Sequence, residues 1–249
     1  MPYLGVGLQH IAAYLNHLST RTSADSIFRG HANRAWQVLP SAFRPNVFGI
    51  RNAQDLAGWK GAARRFVDRP LRDLEWLVLA QHYGVATPLL DWTSNPLIAL
   101  YFACQPAKDS LGNAANGAVM TISQSGLWRE NDPSRVDVFN TWSGPPLLVP
   151  SDTMNKRSMA QDSVMTLHCA GNYELLPDYD PIIWTISSVV KPSMLAALKV
   201  LGVSSDRIYA DINTVAREYI DELASAATAR AFPPIVPVPP PVDTNGTAG

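Results

Sequence analysis

Cysteine, net charge and long apolar runs are the scarce features of this 249-residue chain. Its two cysteines, Cys104 and Cys169, lie in apolar surroundings far from any partner at metal-ligand spacing, which points to buried reduced thiols and excludes a zinc cluster. Lys and Arg number 20 against 21 Asp and Glu, a formal net charge of -1. No global field therefore gathers nucleic acid or an anionic membrane, and any such contact needs a local patch. No apolar run approaches the ~20 residues of a membrane span, and no basic segment leads into an apolar core at the N-terminus, so a cytoplasmic protein without membrane contact is expected. Several catalytic signatures are also missing: a Gly-x-Ser-x-Gly elbow, a phosphate loop ending in Gly-Lys-Ser/Thr, His-Glu-x-x-His, and Gly-x-Gly-x-x-Gly after a strand. The five histidines are scattered, so no metal is expected.

What is present supports a packed core, with 47% hydrophobic and 16% charged residues. Leu8, Ile11, Ala12, Leu15 and Leu18 follow helical spacing. Helices are also predicted over 56–67, 71–82 (closed by Gly84) and 192–201 (closed by Gly202), with a last one from Asp211 to about Ala227. Strands are predicted over 26–30, 118–123, 164–168 and 182–190, and Asn116-Gly117 reads as a hairpin signal. Residues 125–150 show neither period. The irregular order of helices and strands favours an α+β fold, a mixed or antiparallel central sheet with surrounding helices, over a doubly wound sheet. One domain is expected over 1–231, followed by an extended, disordered Pro-rich tail over 232–249.

The most informative stretch runs from Trp76 to Ala103. An apolar helix ends at Gln81-His82-Tyr83-Gly84, and a short connection reaches Asp91-Trp92-Thr93-Ser94-Asn95 before a second apolar helix starts at Pro96. Asn95 is a good N-cap and Pro is favoured at the first helical position. Asp91, Trp92 and Thr93 thus precede a helix N-terminus, where N–H groups favour anions. The bland alternative is that Asp and Thr merely close the turn and Trp92 belongs to the core. Arg29, between Phe28 and Gly30 at a strand end, either grips a phosphate or carboxylate, with Gly30 allowing close approach, or pairs with Asp91 or Asp25. His82 either satisfies the last helical carbonyls or joins Gln81 and Tyr83 along a polar cavity. Arg157 and Gln161, taken alone, belong to a solvated turn.

Together these segments resemble the FRG domain, a family named for a Phe/Tyr-Arg-Gly motif. Phe28-Arg29-Gly30 with Trp36, Leu39, Pro40 and Ser41 resembles its opening motif. The block from Gln81 to Ala103 resembles the central signature QHYG-x-x-T-x-LLDWT-x-x-P-x-x-ALYFA. Arg157 to His168 and Ile208 to Ile212 are similar to later segments, so the likeness covers roughly Ser19 to Tyr219. Departures are His31 where the family carries Gln, Pro88 where it carries Arg, and Asp162 where Gly follows the later Gln. FRG domains occur in bacterial and phage genomes beside toxin-like or defence-like genes, and their motif layout is similar to that of ADP-ribosyltransferases. The resemblance implies NAD as substrate and a macromolecular acceptor or cognate inhibitor as partner. It implies that Arg29 contacts the NAD phosphates or ribose, and that Asp91, Trp92 and Thr93 line the nicotinamide side. Gln161 falls where a catalytic Glu is often found, while His82, Tyr83 and Arg157 complete the polar wall. A non-catalytic nucleotide-binding or sensor module with the same cleft is the alternative.

Overall fold

Short runs rich in β-branched and aromatic residues become the strands of one sheet, and the 3.6-periodic segments become helices laid on it. The computed structural model describes residues 2–130, 136–140, 145–149, 162–169, 181–209, 219, 220 and 223. The strands are β1 (Ser26–His31), β2 (Leu89–Thr93), β3 (Gly117–Ser123), β4 (Leu147–Leu148), β5 (Ser163–Leu167) and β6 (Ile182–Ile186). They lie in the order β4-β5-β2-β1-β3-β6, and each pairing is antiparallel. The helices are α1 (Pro2–Ser19), α2 (Ala53–Ala63), α3 (Asp73–His82), α4 (Pro96–Cys104), α5 (Lys191–Val200) and α6 (Ser205–Tyr209). The fold is α+β, with an antiparallel sheet.

Register assigns the two faces of the sheet. Phe28 stands beside Thr93 and Thr121, and Gly30 beside Val119. On this face Phe28, Val119 and Ile186 pack with α1, α4 and α5, while Leu89, Met165 and Leu167 pack with α2 and α3. The other face buries Ile27, Leu90, Trp92 and Ile122 with Leu127 and Val38 from flanking segments. Trp92 is thus a core residue at 2% exposure, and its indole N–H donates to the Thr166 hydroxyl at 3.0 Å.

Helix α4 lies directly across β1 and β3, and two glycines make that approach fit. A Cβ on Gly30 would stand 1.9 Å from the Ala99 carbonyl oxygen, and one on Gly117 would stand 2.1 Å from that of Ala103. Gly30 therefore makes room for a helix, where the sequence pattern suggested room for a ligand. The same packing explains why Asn116-Gly117 is no hairpin turn. Gly117 opens β3, and the Asn116 side chain accepts from the Ser188 N–H at 2.9 Å.

Other boundaries moved as well. The segment expected to lack regular structure contains β4, an edge strand paired with β5. The strand expected to reach Val190 ends at Ile186, and α2 stops at Ala63 and continues as a single 3-10 turn, Arg64–Phe66. Residues Met1–Ala210 form one compact unit and Asp211–Gly249 a second. The helix expected from Asp211 falls mostly outside the described residues, and the Pro-rich segment falls wholly outside them. Among the described residues no helix is long and apolar enough to cross a membrane.

Gly30→Ala should lower stability by at least about 2 kcal/mol, because backbone atoms of α4 must move to admit the methyl group. Urea unfolding measures it. A change below about 0.5 kcal/mol would show that α4 does not press on β1 as described.

Candidate functional site

The ladder between β1 and β2 is a single residue pair, Phe28 with Thr93. Past that pair the Arg29 side chain makes the connection that the backbone does not. Its Nη1 donates to the Asp91 carbonyl oxygen at 2.5 Å, and its Nε donates to His31 Nε2 at 3.0 Å. A cleft of about 290 Å³ opens here. Its walls come from Phe28, Arg29 and Gly30 of β1, Asp91, Trp92 and Thr93 of β2, and Ile98, Ala99 and Phe102 of α4, with Ser163 and Tyr209. Two motifs 62 residues apart thus meet on one cavity.

The electrostatics of Arg29 follow from its half-buried position. Desolvation pulls its pKa down to about 10, the neighbouring Asp91 carboxylate works against that fall, and Arg44 adds a like charge nearby. The guanidinium therefore stays charged at neutral pH. Among the described residues no acceptor for Nη2 is found, and Arg29 lines the cleft. Neither carboxylate proposed as its structural partner is bonded to it. The Asp25 carboxylate accepts from Ser23, Ser123 and the Ser125 N–H, and the Asp91 contact is to the main chain.

His31 is 4% exposed, and its protonation is dictated by its neighbours. Arg29 can only donate, so Nε2 must accept and the proton must sit on Nδ1, 3.2 Å from the Trp36 carbonyl oxygen. Burial, then the Arg29 charge, pushes its pKa down to about 4. His31 is a neutral spacer that accepts from Arg29 and donates to the main chain.

Asp91 is oriented from the other side. Gln81 Nε2 donates to Asp91 Oδ1 at 2.7 Å, while Gln81 Oε1 accepts from the Thr87 hydroxyl. Gln81 is the residue of the Gln-His-Tyr-Gly corner that reaches the site. His82 and Tyr83 do not line the cleft; their rings meet edge to face at 4.9 Å, and Tyr83 is 70% exposed.

The α4 N-terminus is satisfied internally. Asn95 Oδ1 accepts from the Leu97 N–H, Thr93 Oγ1 accepts from the Asn95 N–H, and the Asp162 carbonyl accepts from the Ser94 N–H. The cleft opens along the side of α4, so the anion-binding argument belongs to Arg29 and not to the helix end.

Arg157 and Gln161 lie outside the described residues. Their neighbours are informative: Asp162 adopts φ 46°, a left-handed conformation that favours glycine, and Ser163 lines the cleft. Phe102 and Tyr209, in edge contact at 6.3 Å, also line it. Neither stood out in the sequence, because an aromatic at helical spacing looks like core until a second segment brings a ring against it. Among the described residues no cluster of His, Cys, Asp and Glu could hold a metal.

Residues 24–111, from just before β1 to just past α4, match a family model described as the FRG domain. Over this stretch the chain is similar to FRG domains. The match covers both cleft-forming motifs and stops short of the Arg157 to His168 block. No curated protein and no solved structure matches the chain. The two departures from the FRG pattern around the cleft have physical readings. A Gln following the Arg-Gly pair would accept and donate through one amide, which His31 does through its two ring nitrogens. Asp162 occupies the left-handed position suited to the family's Gly. Pro88 is buried, and its carbonyl accepts from the His168 N–H at 3.0 Å.

Because folding holds His31 neutral while the unfolded chain takes up its proton near pH 6.5, His31 favours the fold above that pH. This contribution is lost as pH falls toward 4. His31→Gln should therefore flatten the acid limb of the stability profile, by about 2 kcal/mol between pH 7 and pH 4.5. Parallel profiles for the two proteins would show that His31 is not the group described.

Proposed function

We propose that the cleft binds a phosphate-bearing nucleotide, that this nucleotide is NAD, and that the FRG domain acts as an ADP-ribosyltransferase-like enzyme on a macromolecular acceptor. The observation that supports this most is the charged Arg29 fork beside the Asp91 carboxylate on a cleft whose walls include Phe102 and Tyr209. A guanidinium grips a diphosphate in a bidentate manner, and a planar heterocycle packs against aromatic faces. In the transfer, the bond between ribose C1′ and the nicotinamide nitrogen breaks, and its electron pair returns to the ring to release neutral nicotinamide. The acceptor nucleophile then closes on C1′ and gives up its proton to solvent. Positive charge develops at the ribose, and the Asp91 carboxylate, held by Gln81, would stabilise it. Gln161 would hydrogen-bond the ribose without supplying charge. A toxin or phage-defence role, checked by a cognate inhibitor, is the setting such chemistry fits.

The second reading is a nucleotide-binding module without turnover. It is favoured by the Gln81 bond to Asp91, which spends one carboxylate oxygen on the fold.

Purified protein with NAD labelled on the nicotinamide tests both. Release of nicotinamide, or transfer to protein, RNA or DNA, supports the enzyme. Arg29→Lys should weaken NAD binding about tenfold or more by losing the fork geometry. Asp91→Asn should slow release about 100-fold while changing binding less than threefold. Saturable NAD binding without release supports the module; no binding overturns both readings.

A further inference from the structure

We infer that residues 44–66 form a binding strip for single-stranded nucleic acid. The near-neutral whole chain conceals a sharp segregation: residues 28–72 carry nine Lys and Arg side chains against two carboxylates. Lys60, Arg69 and Arg72 are offset by Asp73 and Glu75. Among the described residues the exposed Arg44, Arg51, Arg64 and Arg65 form no ion pair. Between them stand the two aromatics Phe48 and Phe66, 95% and 74% exposed. Two large apolar rings so exposed, interleaved with guanidinium groups that no described carboxylate neutralises, mark an interaction surface.

Main-chain hydrogen bonds tie down the start of the strip. The Ala42 N–H donates to the Thr87 carbonyl at 3.1 Å, and the Ile50 N–H donates to the Ala86 carbonyl at 2.8 Å. These bonds fasten the segment to the chain that leads into β2. Arg51 is anchored to the Ala42 and Val47 carbonyls, and Arg44 to the Leu39 carbonyl, near enough to Arg29 for their charges to oppose. Helix α2 then carries the strip about 16 Å farther, to Arg64, Arg65 and Phe66, where the Arg65 guanidinium lies 4.8 Å over the Phe66 ring. Cations that track phosphates, alternating with rings on which unpaired bases stack, are what single strands need. An acidic protein would use the charge but not the rings. That the strand is also the acceptor rests on the reading of the cleft above; its binding does not.

Fluorescence anisotropy with a roughly 12-nucleotide oligothymidylate, titrated at low and high salt, tests the strip. Wild type should bind at low salt and weaken steeply as salt rises. Arg64→Gln with Arg65→Gln should reduce the salt slope by about 1.4. Phe48→Ala with Phe66→Ala should cost about tenfold or more in affinity and leave the slope unchanged. All variants should melt like wild type and bind NAD like wild type, whereas Arg29→Lys should leave oligonucleotide binding within threefold. Absent binding at low salt, indifference to the two phenylalanines, or equal affinity for a polyglutamate peptide would overturn the proposal. Intact NAD binding in that event would leave the cleft reading standing.

Discussion

The bond from the Arg29 guanidinium to the Asp91 carbonyl is the contact on which the candidate site depends. β1 and β2 share one residue pair, so their spacing beyond Phe28 and Thr93 is held by a side chain. A charged side chain in that place does two things at once. It donates to a main-chain group that the ladder leaves behind, and it keeps a cation at the edge of a cavity, where protein replaces part of its water. The pull of desolvation on Arg29, partly answered by Asp91, expresses that compromise.

The surrounding residues make the compromise tolerable. His31 must be neutral, because a second buried cation against Arg29 would be costly, and its hydrogen bonds leave only the neutral tautomer. Thr87 and Gln81 fix Asp91 from the far side. Gly30 lets α4 settle onto β1, which brings Phe102 to the cleft wall. The three-residue motif Phe28-Arg29-Gly30 thus combines a core ring, a bridging cation and a helix seat.

Local pattern made much of this legible. A short apolar run stopping at Gly30 located β1, and the Asn95-Pro96 pair located the start of α4, because such signals, caps and prolines act within a few residues. Arg29 and Asp91 stood out as charges among apolar neighbours. What stayed hidden depends on distant partners. Gln81 matters because it meets Asp91, and Tyr209 because it meets Phe102, and no periodicity encodes either meeting. The packing role of Gly30 stayed hidden for the same reason, since only the packed structure shows Ala99 above it. Edge strand β4 escaped notice because two residues carry no period.

The central claim is that the Arg29 guanidinium is built into the fold and also open to a ligand. The most direct measurement is the side-chain Nε–Hε resonance of Arg29 in a nitrogen-15 spectrum, assigned by its loss in the lysine variant, during a titration with pyrophosphate. The account expects a slowly exchanging signal in the apo protein that shifts saturably as the anion binds. A signal broadened by rapid exchange with water, or one that stays fixed while other arginine signals move, would contradict it.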